Sequence, residues 1–260
     1  MPGVINLLMA VDWAPKTLAG VLRGWSVIVL DKLRNLRAEI GLPAAVLYLA
    51  NRLLDKAGGI AAVYRYALVA QPVAEKPLLP GHRGRSIEIR MIDPRDPALV
   101  GMDGITTEVL EYRAGMNSVC FGAFEDGAII GCLWLCLGPY DEDEVRCRFL
   151  PLPEGQASWD YGIFLRPEHR KGLAFARLWD AANAFLRERG VRWSLSRISA
   201  FNPASLASHR RLGATRIGSA TFLRIGPLQV MGATLPPYVH VSATEKTRPC
   251  LRLEFPDASE

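Results

Sequence analysis

The stretch that decides the predicted fold is residues 159–179, WDYGIFLRPEHRKGLAFARLW. Its first seven residues favour a buried strand, which ends before Pro167 because proline restricts the residue that precedes it. From Leu173 to Arg189, apolar residues recur at steps of three and four, as on one face of a helix, and Gly190 follows as a typical stop. We therefore predict a strand, a tight turn and a long helix in this order.

The residues after this helix predict a second strand and a second, shorter helix. Residues 191–200 favour a strand, and Asn202 is well placed to cap a helix within residues 203–212. Gly213 lies just past that helix, where glycine commonly ends one. Strand and helix thus alternate, which is typical of an α/β domain.

A hairpin is predicted upstream of these elements. Residues 118–124 and 128–137 are rich in strand-forming side chains. Between them, Asp126-Gly127 suits the positive φ angles of a tight turn. The two strands are therefore expected to be antiparallel neighbours in a mixed sheet.

Four other regions complete the predicted domain. Residues 86–91 alternate like a first strand, and a helix is predicted around residues 105–112. We interpret residues 141–144 as a solvated acidic loop. Two or three more strands are expected within residues 215–253.

The N-terminal third is predicted to be mainly helical. Between Pro15 and Leu36, apolar residues recur at helical spacing. They form one stripe: Leu18, Leu22, Trp25, Val29, Leu33 and Leu36. A second helix is predicted from Pro43 to Lys56, and residues 64–73 favour an extended chain.

Composition and charge divide the chain into two parts. Residues 75–85, EKPLLPGHRGR, concentrate proline, glycine and charge, which indicates a linker. We therefore predict a helical extension over residues 1–74 and an α/β domain over residues 86–260. Residues 1–85 contain 11 Lys and Arg but 5 Asp and Glu, whereas the remainder is close to neutral. This distribution argues against a nucleic-acid-binding core and leaves an anionic partner open for the extension.

Cysteine usage and hydropathy indicate a cytoplasmic protein. The five cysteines form no Cys-x-x-Cys pair, which suggests neither a disulfide framework nor a zinc site, so no metal is expected. No run reaches the roughly 18–20 apolar residues that a membrane span requires. The N-terminus also lacks the pattern of a secretory signal.

Two segments resemble the cofactor motifs of the GNAT family of acyl-CoA-dependent N-acetyltransferases. Residues 202–214, NPASLASHRRLGA, have the spacing of the family's second motif, with His209 where the family usually has tyrosine. The matching positions are Asn202, Ser205, Gly213 and Ala214. Residues 159–179 resemble the first motif. The resemblance covers roughly residues 86–230 and implies a mixed, mostly antiparallel central sheet flanked by helices.

The resemblance implies that acetyl-CoA, or another acyl-CoA, is the co-substrate. A pyrophosphate needs exposed backbone N–H groups at a helix N-terminus, where the helix dipole favours negative charge. The backbone of residues 164–166 would pair with the pantetheine amides. The implied binding residues are Phe164, Leu165, Arg166, Arg170, Lys171, Gly172, Leu173, Ala174, Phe175, Asn202 and Ser205.

The glycine turn departs from the family pattern, since Gly172 lies one place from the usual glycines. In one interpretation the turn is one residue short and Gly172-Leu173-Ala174 is the family's Gly-x-Ala. In the other, the turn keeps its length and larger residues replace the glycines. Both keep the backbone N–H groups, but the second leaves less room for a pyrophosphate.

For catalysis, the resemblance implies direct acyl transfer without a covalent enzyme intermediate. His209 takes the place of the tyrosine that protonates the leaving thiolate, and histidine ordinarily titrates near neutrality. The alternative is a helix-surface histidine beside Arg210 and Arg211. Asp160 is a candidate general base, and the alternatives are a structural carboxylate or proton loss through water.

We therefore expect an N-acetyltransferase that transfers an acetyl group from acetyl-CoA to the primary amine of a small molecule. One alternative uses a longer acyl donor, on CoA or an acyl carrier protein, to make N-acyl amino acids or lipids. Another is a non-catalytic module that binds CoA or a peptide. The stripe within residues 1–74 either packs on the catalytic domain or on a second copy in a homodimer, or contacts an anionic membrane or an acyl carrier protein. No nucleic acid partner is expected.

Overall fold

A computed structural model describes residues 41–56, 61–170 and 172–255. The helix predicted over residues 15–36 lies outside the described residues. The described helices are α1 Leu42–Lys56, α2 Thr107–Ala114, α3 Ala174–Glu188 and α4 Pro203–Arg211. The strands are β1 Ala61–Pro72, β2 Glu88–Ile92, β3 Ser118–Glu125, β4 Ala128–Cys136, β5 Tyr140–Asp141, β6 Arg148–Leu152, β7 Ala157–Leu165, β8 Trp193–Ser199, β9 Thr215–Ile225, β10 Leu228–Ala233, β11 Val239–Ser242 and β12 Cys250–Glu254.

Nine of the described strands form one sheet in the order β11-β10-β9-β1-β8-β7-β4-β3-β2. Every neighbouring pair is antiparallel except β7 and β8, which are parallel. A smaller sheet has the order β12-β6-β5, with β12 parallel to β6. The predicted mixed, mostly antiparallel α/β architecture is confirmed.

The predicted hairpin is present as β3 and β4. Glu125 pairs with Ala128, and the two residues between them have positive φ angles, 50° at Asp126 and 79° at Gly127. The Asp-Gly pair therefore forms the turn because both residues tolerate this left-handed conformation better than most.

The sheet separates a helical layer from the smaller sheet. Helix α3 buries Leu178, Ala182 and Leu186 against apolar side chains of β4 and β7. On the other face, Trp159 of β7 stacks on Phe149 of β6, with ring centroids 4.5 Å apart. Strand β7 is therefore packed on both faces. None of the described helices is long and apolar enough to cross a membrane.

Strand β1 lies in the middle of the large sheet, between β8 and β9. Ala70 pairs with Leu195 on one edge, and Ala61 pairs with Ile225 on the other. The extended conformation expected near residues 64–73 is present, but residues 61–72 belong to the sheet and not to a helical extension. The predicted linker consequently connects two strands of the same sheet.

The C-terminal region has four strands where two or three were expected. Strands β9, β10 and β11 extend the large sheet, whereas β12 crosses to the smaller sheet and pairs with β6. Sequence alternation indicates that a segment is a strand but not which sheet it joins. The smaller sheet was therefore not predicted.

Candidate active site

Strands β7 and β8 separate part-way along their length. Their parallel register runs from Ala157 opposite Trp193 to Asp160 opposite Ser196. Beyond that pair, β7 continues to Leu165 and β8 to Ser199. The two strands thus border an opening in the sheet.

A bulge in β7 lies at the start of this opening. Trp134 of β4 pairs with Gly162, but the next residue, Leu135, pairs with Asp160, so Tyr161 is an extra residue. A bulge re-aims the side chains around it. Asp160 consequently points to the helical layer, whereas Tyr161 and Gly162 line a pocket on the opposite face.

The pocket has a volume of about 230 Å³. It is lined by Ile105, Arg113, Cys132, Trp134, Tyr140, Asp143, Glu144, Tyr161, Gly162, Ile163, Phe164 and Arg197. The rings of Tyr140 and Tyr161 stack in its wall, with centroids 4.5 Å apart. The pocket therefore combines an aromatic wall with charged groups of both signs.

An ion-pair network forms the acidic wall of the pocket. Arg197 donates to both carboxylate oxygens of buried Glu142, at 2.8 and 2.7 Å, and also pairs with Glu144 at 2.9 Å. The hydroxyl of Tyr66 donates to Glu144 at 2.8 Å. Burial raises the pKa of Glu142 to about 7, against the lowering effect of Arg197. These contacts hold two carboxylates in fixed positions beside the pocket.

The solvated-loop interpretation of residues 141–144 is wrong for Glu142, which is buried. Pairing with Arg197 compensates the carboxylate for part of the hydration that it loses. The available sequence signal was Arg197 itself, a charged residue between the buried Leu195 and Ile198 of a central strand. A cation in that position needs a buried anionic partner.

The turn before α3 presents backbone donors at the edge of the opening. Helix α3 begins at Ala174, and its N-cap residue, Leu173, makes no side-chain hydrogen bond to the first helical turn. Gly172 donates its N–H to the carbonyl of His169 at 3.1 Å, and a Cβ at Gly172 would lie 3.3 Å from that oxygen. The helix therefore opens directly after Gly172-Leu173, and a side chain at Gly172 would be tightly placed.

The basic residues of this turn point in different directions. Arg170 donates from Nε to the carbonyl of Leu165 at 3.0 Å, and Arg166 donates from Nε to the carbonyl of Ile129 at 2.9 Å. Arg170 is thus tied to the backbone at the end of β7, and Arg166 to the backbone at the start of β4. Lys171 lies outside the described residues.

Asp160 and His209 lie on the helical side of the sheet. Asp160 accepts a hydrogen bond from Ser194 Oγ at 3.0 Å. His209 is only 3% exposed, and its Nδ1 lies 3.1 Å from the amide oxygen of Gln71. Burial raises the pKa of Asp160, while the nearby charge of His209 lowers it. The helix-surface alternative for His209 is therefore wrong, since the ring is enclosed.

Three other groups of predicted site residues lie in the pocket, beside His209 and at the start of α4. Phe164 lines the pocket, whereas Phe175 packs its ring edge-on to His209, with centroids 6.3 Å apart. Asn202 caps α4 as predicted, because its side-chain oxygen accepts from the N–H of Ser205 at 3.0 Å. Neither Asp160 nor His209 is among the described residues that line the pocket.

Comparison with known proteins agrees with this architecture. Residues 89–214 match the model of the acetyltransferase (GNAT) family. This part of the chain belongs to that family. The GNAT match begins within β2, so it leaves out β1 although β1 lies in the same sheet. The search of curated proteins found no match.

Several solved structures are similar to the chain. An aminoglycoside acetyltransferase from an uncultured soil metagenomic sample is 14% identical, with 48% of this chain and 86% of that chain covered and a TM-score of 0.37. A functionally unknown conserved protein from Staphylococcus epidermidis is 10% identical, with coverages of 67% and 66% and a TM-score of 0.47. An aminoglycoside 6'-N-acetyltransferase from Acinetobacter baumannii is 16% identical, with coverages of 49% and 89% and a TM-score of 0.38.

Proposed function

We propose that the protein is an N-acetyltransferase that transfers an acetyl group from acetyl-CoA directly to a primary amine. The observation that carries this proposal is the opening between β7 and β8, with a helix N-terminus on one side of it and a charged pocket on the other. A thioester donor and an amine acceptor could therefore meet from opposite faces of the sheet. The GNAT match over residues 89–214 supports the same chemistry.

Acetyl-CoA fits the helical side of the opening. The first N–H groups of α3 have no side-chain cap, and such groups suit a pyrophosphate. The N–H groups of Leu173, Ala174 and Phe175 would bind the pyrophosphate, and Gly172 would let it approach the backbone closely. Arg170 and Lys171, which precede them in the sequence, would balance the phosphate charge. Residues 164–166 would offer backbone groups to the pantetheine arm.

The amine would bind in the pocket on the other side. An amine arrives mainly as an ammonium ion, which the carboxylates of Asp143 and Glu144 would attract. It must lose a proton before it attacks, and Glu144 is placed to take that proton directly or through water. Asp160 faces the helical layer instead, so we assign it a supporting role, as a buried group near His209 that is held by the hydroxyl of Ser194.

His209 would donate a proton to the departing thiolate. It is electrostatically coupled to Asp160, which belongs to the last paired residues before the strands separate. We infer from this that the imidazole lies near the start of the opening. The reaction forms a C–N bond, breaks the C–S bond and leaves a protonated thiol. We assign the reaction to the cytoplasm on the cysteine usage of the chain.

The test is acetyl transfer by the full-length protein to a panel of small amines. Release of the CoA thiol and the mass of the acetylated product would be measured together. We expect both signals for at least one amine. Acetyl-CoA binding without transfer to any amine would instead support the non-catalytic module, and faster transfer from longer acyl-CoA donors would support the acyltransferase alternative.

A further inference from the structure

The pocket contains two arginines that differ in their partners. The charge of Arg197 is balanced by Glu142 and Glu144, at 2.7 and 2.9 Å. The guanidinium of Arg113 lies instead over two aromatic rings, 4.9 Å from the centroid of Trp134 and 5.3 Å from that of Tyr161. No carboxylate of the described residues forms an ion pair with Arg113. Its donors are therefore available to an anionic ligand.

Arg113 lies close to the position where the acyl group would be transferred. A Cβ at Gly162 would lie 3.8 Å from Nη1 of Arg113. Gly162 follows the bulge residue Tyr161, at the start of the opening between β7 and β8. The absence of a side chain at Gly162 thus leaves the guanidinium next to the opening.

The remaining charges of the pocket have the opposite sign. Asp143 and Glu144 both line it, and Glu144 is held in place by Arg197 and Tyr66. A ligand in this pocket thus meets one unpaired guanidinium and two carboxylates. A simple amine would use only the carboxylates and leave Arg113 without a counterion.

We propose that the acceptor is an amino acid with a free carboxylate, and that Arg113 binds this carboxylate. This inference rests on the proposed acetyltransferase function. Arginine presents paired donors that match the two oxygens of a carboxylate. The amino group would then face Glu144, which takes its proton as the amine nitrogen attacks the thioester carbonyl. The C–S bond breaks, the thiolate gains a proton from His209, and the products are an N-acetylated amino acid and CoA.

The test compares acceptors that differ only at the carboxylate. For each of several side chains, transfer would be measured with the amino acid, its amide and the decarboxylated amine. We expect kcat/KM to be about 10- to 100-fold higher for the amino acid, as one charge-assisted contact provides. Equal rates for all three compounds in each set would overturn the proposal.

Substitution of Arg113 tests the same contact from the protein side. In Arg113→Met, the preference for the amino acid should disappear through a higher KM, while transfer to the decarboxylated amine and the affinity for acetyl-CoA stay unchanged. Arg113→Lys should keep part of the preference because it keeps the charge. Arg90→Met is the matched control, since Arg90 also lies over an aromatic ring, Phe124 at 3.8 Å, outside the pocket. Equal loss with all acceptors in Arg113→Met would reduce Arg113 to a packing residue.

Failure of the proposed acetyltransferase function would give a different experimental result from failure of the Arg113 contact. If no compound of the panel were acetylated, the acetyltransferase proposal would fail. Calorimetric titration of the amino acids, amides and amines into the protein with CoA present would still test Arg113 directly. Binding of the amino acids that is lost in Arg113→Met would support the carboxylate contact, whereas binding unaffected by either the carboxylate or Arg113 would overturn it.

Discussion

His209 is the single residue on which the proposed proton donation depends. His209→Gln should lower kcat by about 10²- to 10⁴-fold with little change in KM, because the group acts mainly in the transition state. Glutamine can still hydrogen-bond to Gln71, so the variant should stay folded. Steady-state kinetics with saturating acetyl-CoA would measure the effect.

If His209 has only a structural role, its replacement should change the stability of the protein and not kcat. The ring is enclosed by Gln71, Phe175 and Trp179, so His209→Ala would leave a cavity and lower the thermal stability. Unchanged kcat in a folded His209→Gln variant would leave His209 as a packing residue only.

Glu142 should make stability depend on pH in a specific window. Its pKa is raised from 4.5 to about 7 in the folded protein, so between these values the folded state keeps a proton that the unfolded chain has lost. By linkage, this contribution to the free energy of unfolding decreases as the pH rises from about 4.5 to 7, by at most roughly 1.4 kcal/mol per pH unit. Denaturant unfolding of the wild type and Glu142→Gln at several pH values would measure it.

The comparison removes the effect of other titrating groups. The wild type should lose stability relative to Glu142→Gln as the pH rises through this window, whereas Glu168→Gln, at an exposed position, should not change the slope. A constant difference between wild type and Glu142→Gln from pH 4.5 to 7 would contradict the shifted pKa of Glu142.

At the scale of elements, the turn before α3 is proposed to bind the acetyl-CoA pyrophosphate. Gly172→Trp would place a large side chain where a Cβ already lies 3.3 Å from a carbonyl oxygen, and Arg170→Glu would reverse a charge beside the helix N-terminus. Each should weaken acetyl-CoA binding by at least about 1–2 kcal/mol. Isothermal titration calorimetry would measure the affinities.

The matched control for this turn is Arg189→Glu. It reverses the same charge at the C-cap of the same helix, away from the N-terminal N–H groups. Its affinity for acetyl-CoA should equal that of the wild type. Unchanged affinity in both Gly172→Trp and Arg170→Glu would remove the turn from the site.

The elements that sequence predicted well are those fixed by local chemistry. The turn at Asp126-Gly127 and the cap at Asn202 depend on neighbouring residues only, and both are present. The position of β1 depends on partners more than 120 residues away in sequence, which alternation cannot reveal. Burial of Glu142 depends likewise on Arg197, which lies 55 residues later in the chain.

At the scale of the whole molecule, β1 makes the predicted boundary at residues 75–85 unsuitable for truncation. A chain that starts at residue 86 lacks the strand between β8 and β9, and so loses the connection to β9, β10 and β11. It should be unfolded or insoluble, whereas a chain that starts at residue 41 keeps the whole described sheet and should unfold cooperatively. Circular dichroism during thermal unfolding would distinguish them. Cooperative unfolding of residues 86–260 alone would contradict the role of β1.

The outer strands present an apolar surface that bears on the role of residues 1–40. Leu223, Val230 and Val241 are paired across β9, β10 and β11 and are 37%, 41% and 58% exposed. We expect the predicted apolar stripe to pack on protein, so the full-length protein should not sediment with anionic vesicles at any salt concentration. Sedimentation with vesicles at low salt that is lost at high salt would favour membrane contact instead.

The central position of β1 also affects how the protein is synthesised. Residues 61–72 leave the ribosome early, but their partners in β8 and β9 begin only at residues 193 and 215. At translation rates of about 5–20 residues per second, both edges of β1 stay unpaired for about 6 to 24 seconds before β8 begins to be made. The sheet cannot close around β1 until most of the chain has been made. The folding of this protein therefore depends on its release from the ribosome, and on any chaperone that protects β1 until then, as well as on its own contacts.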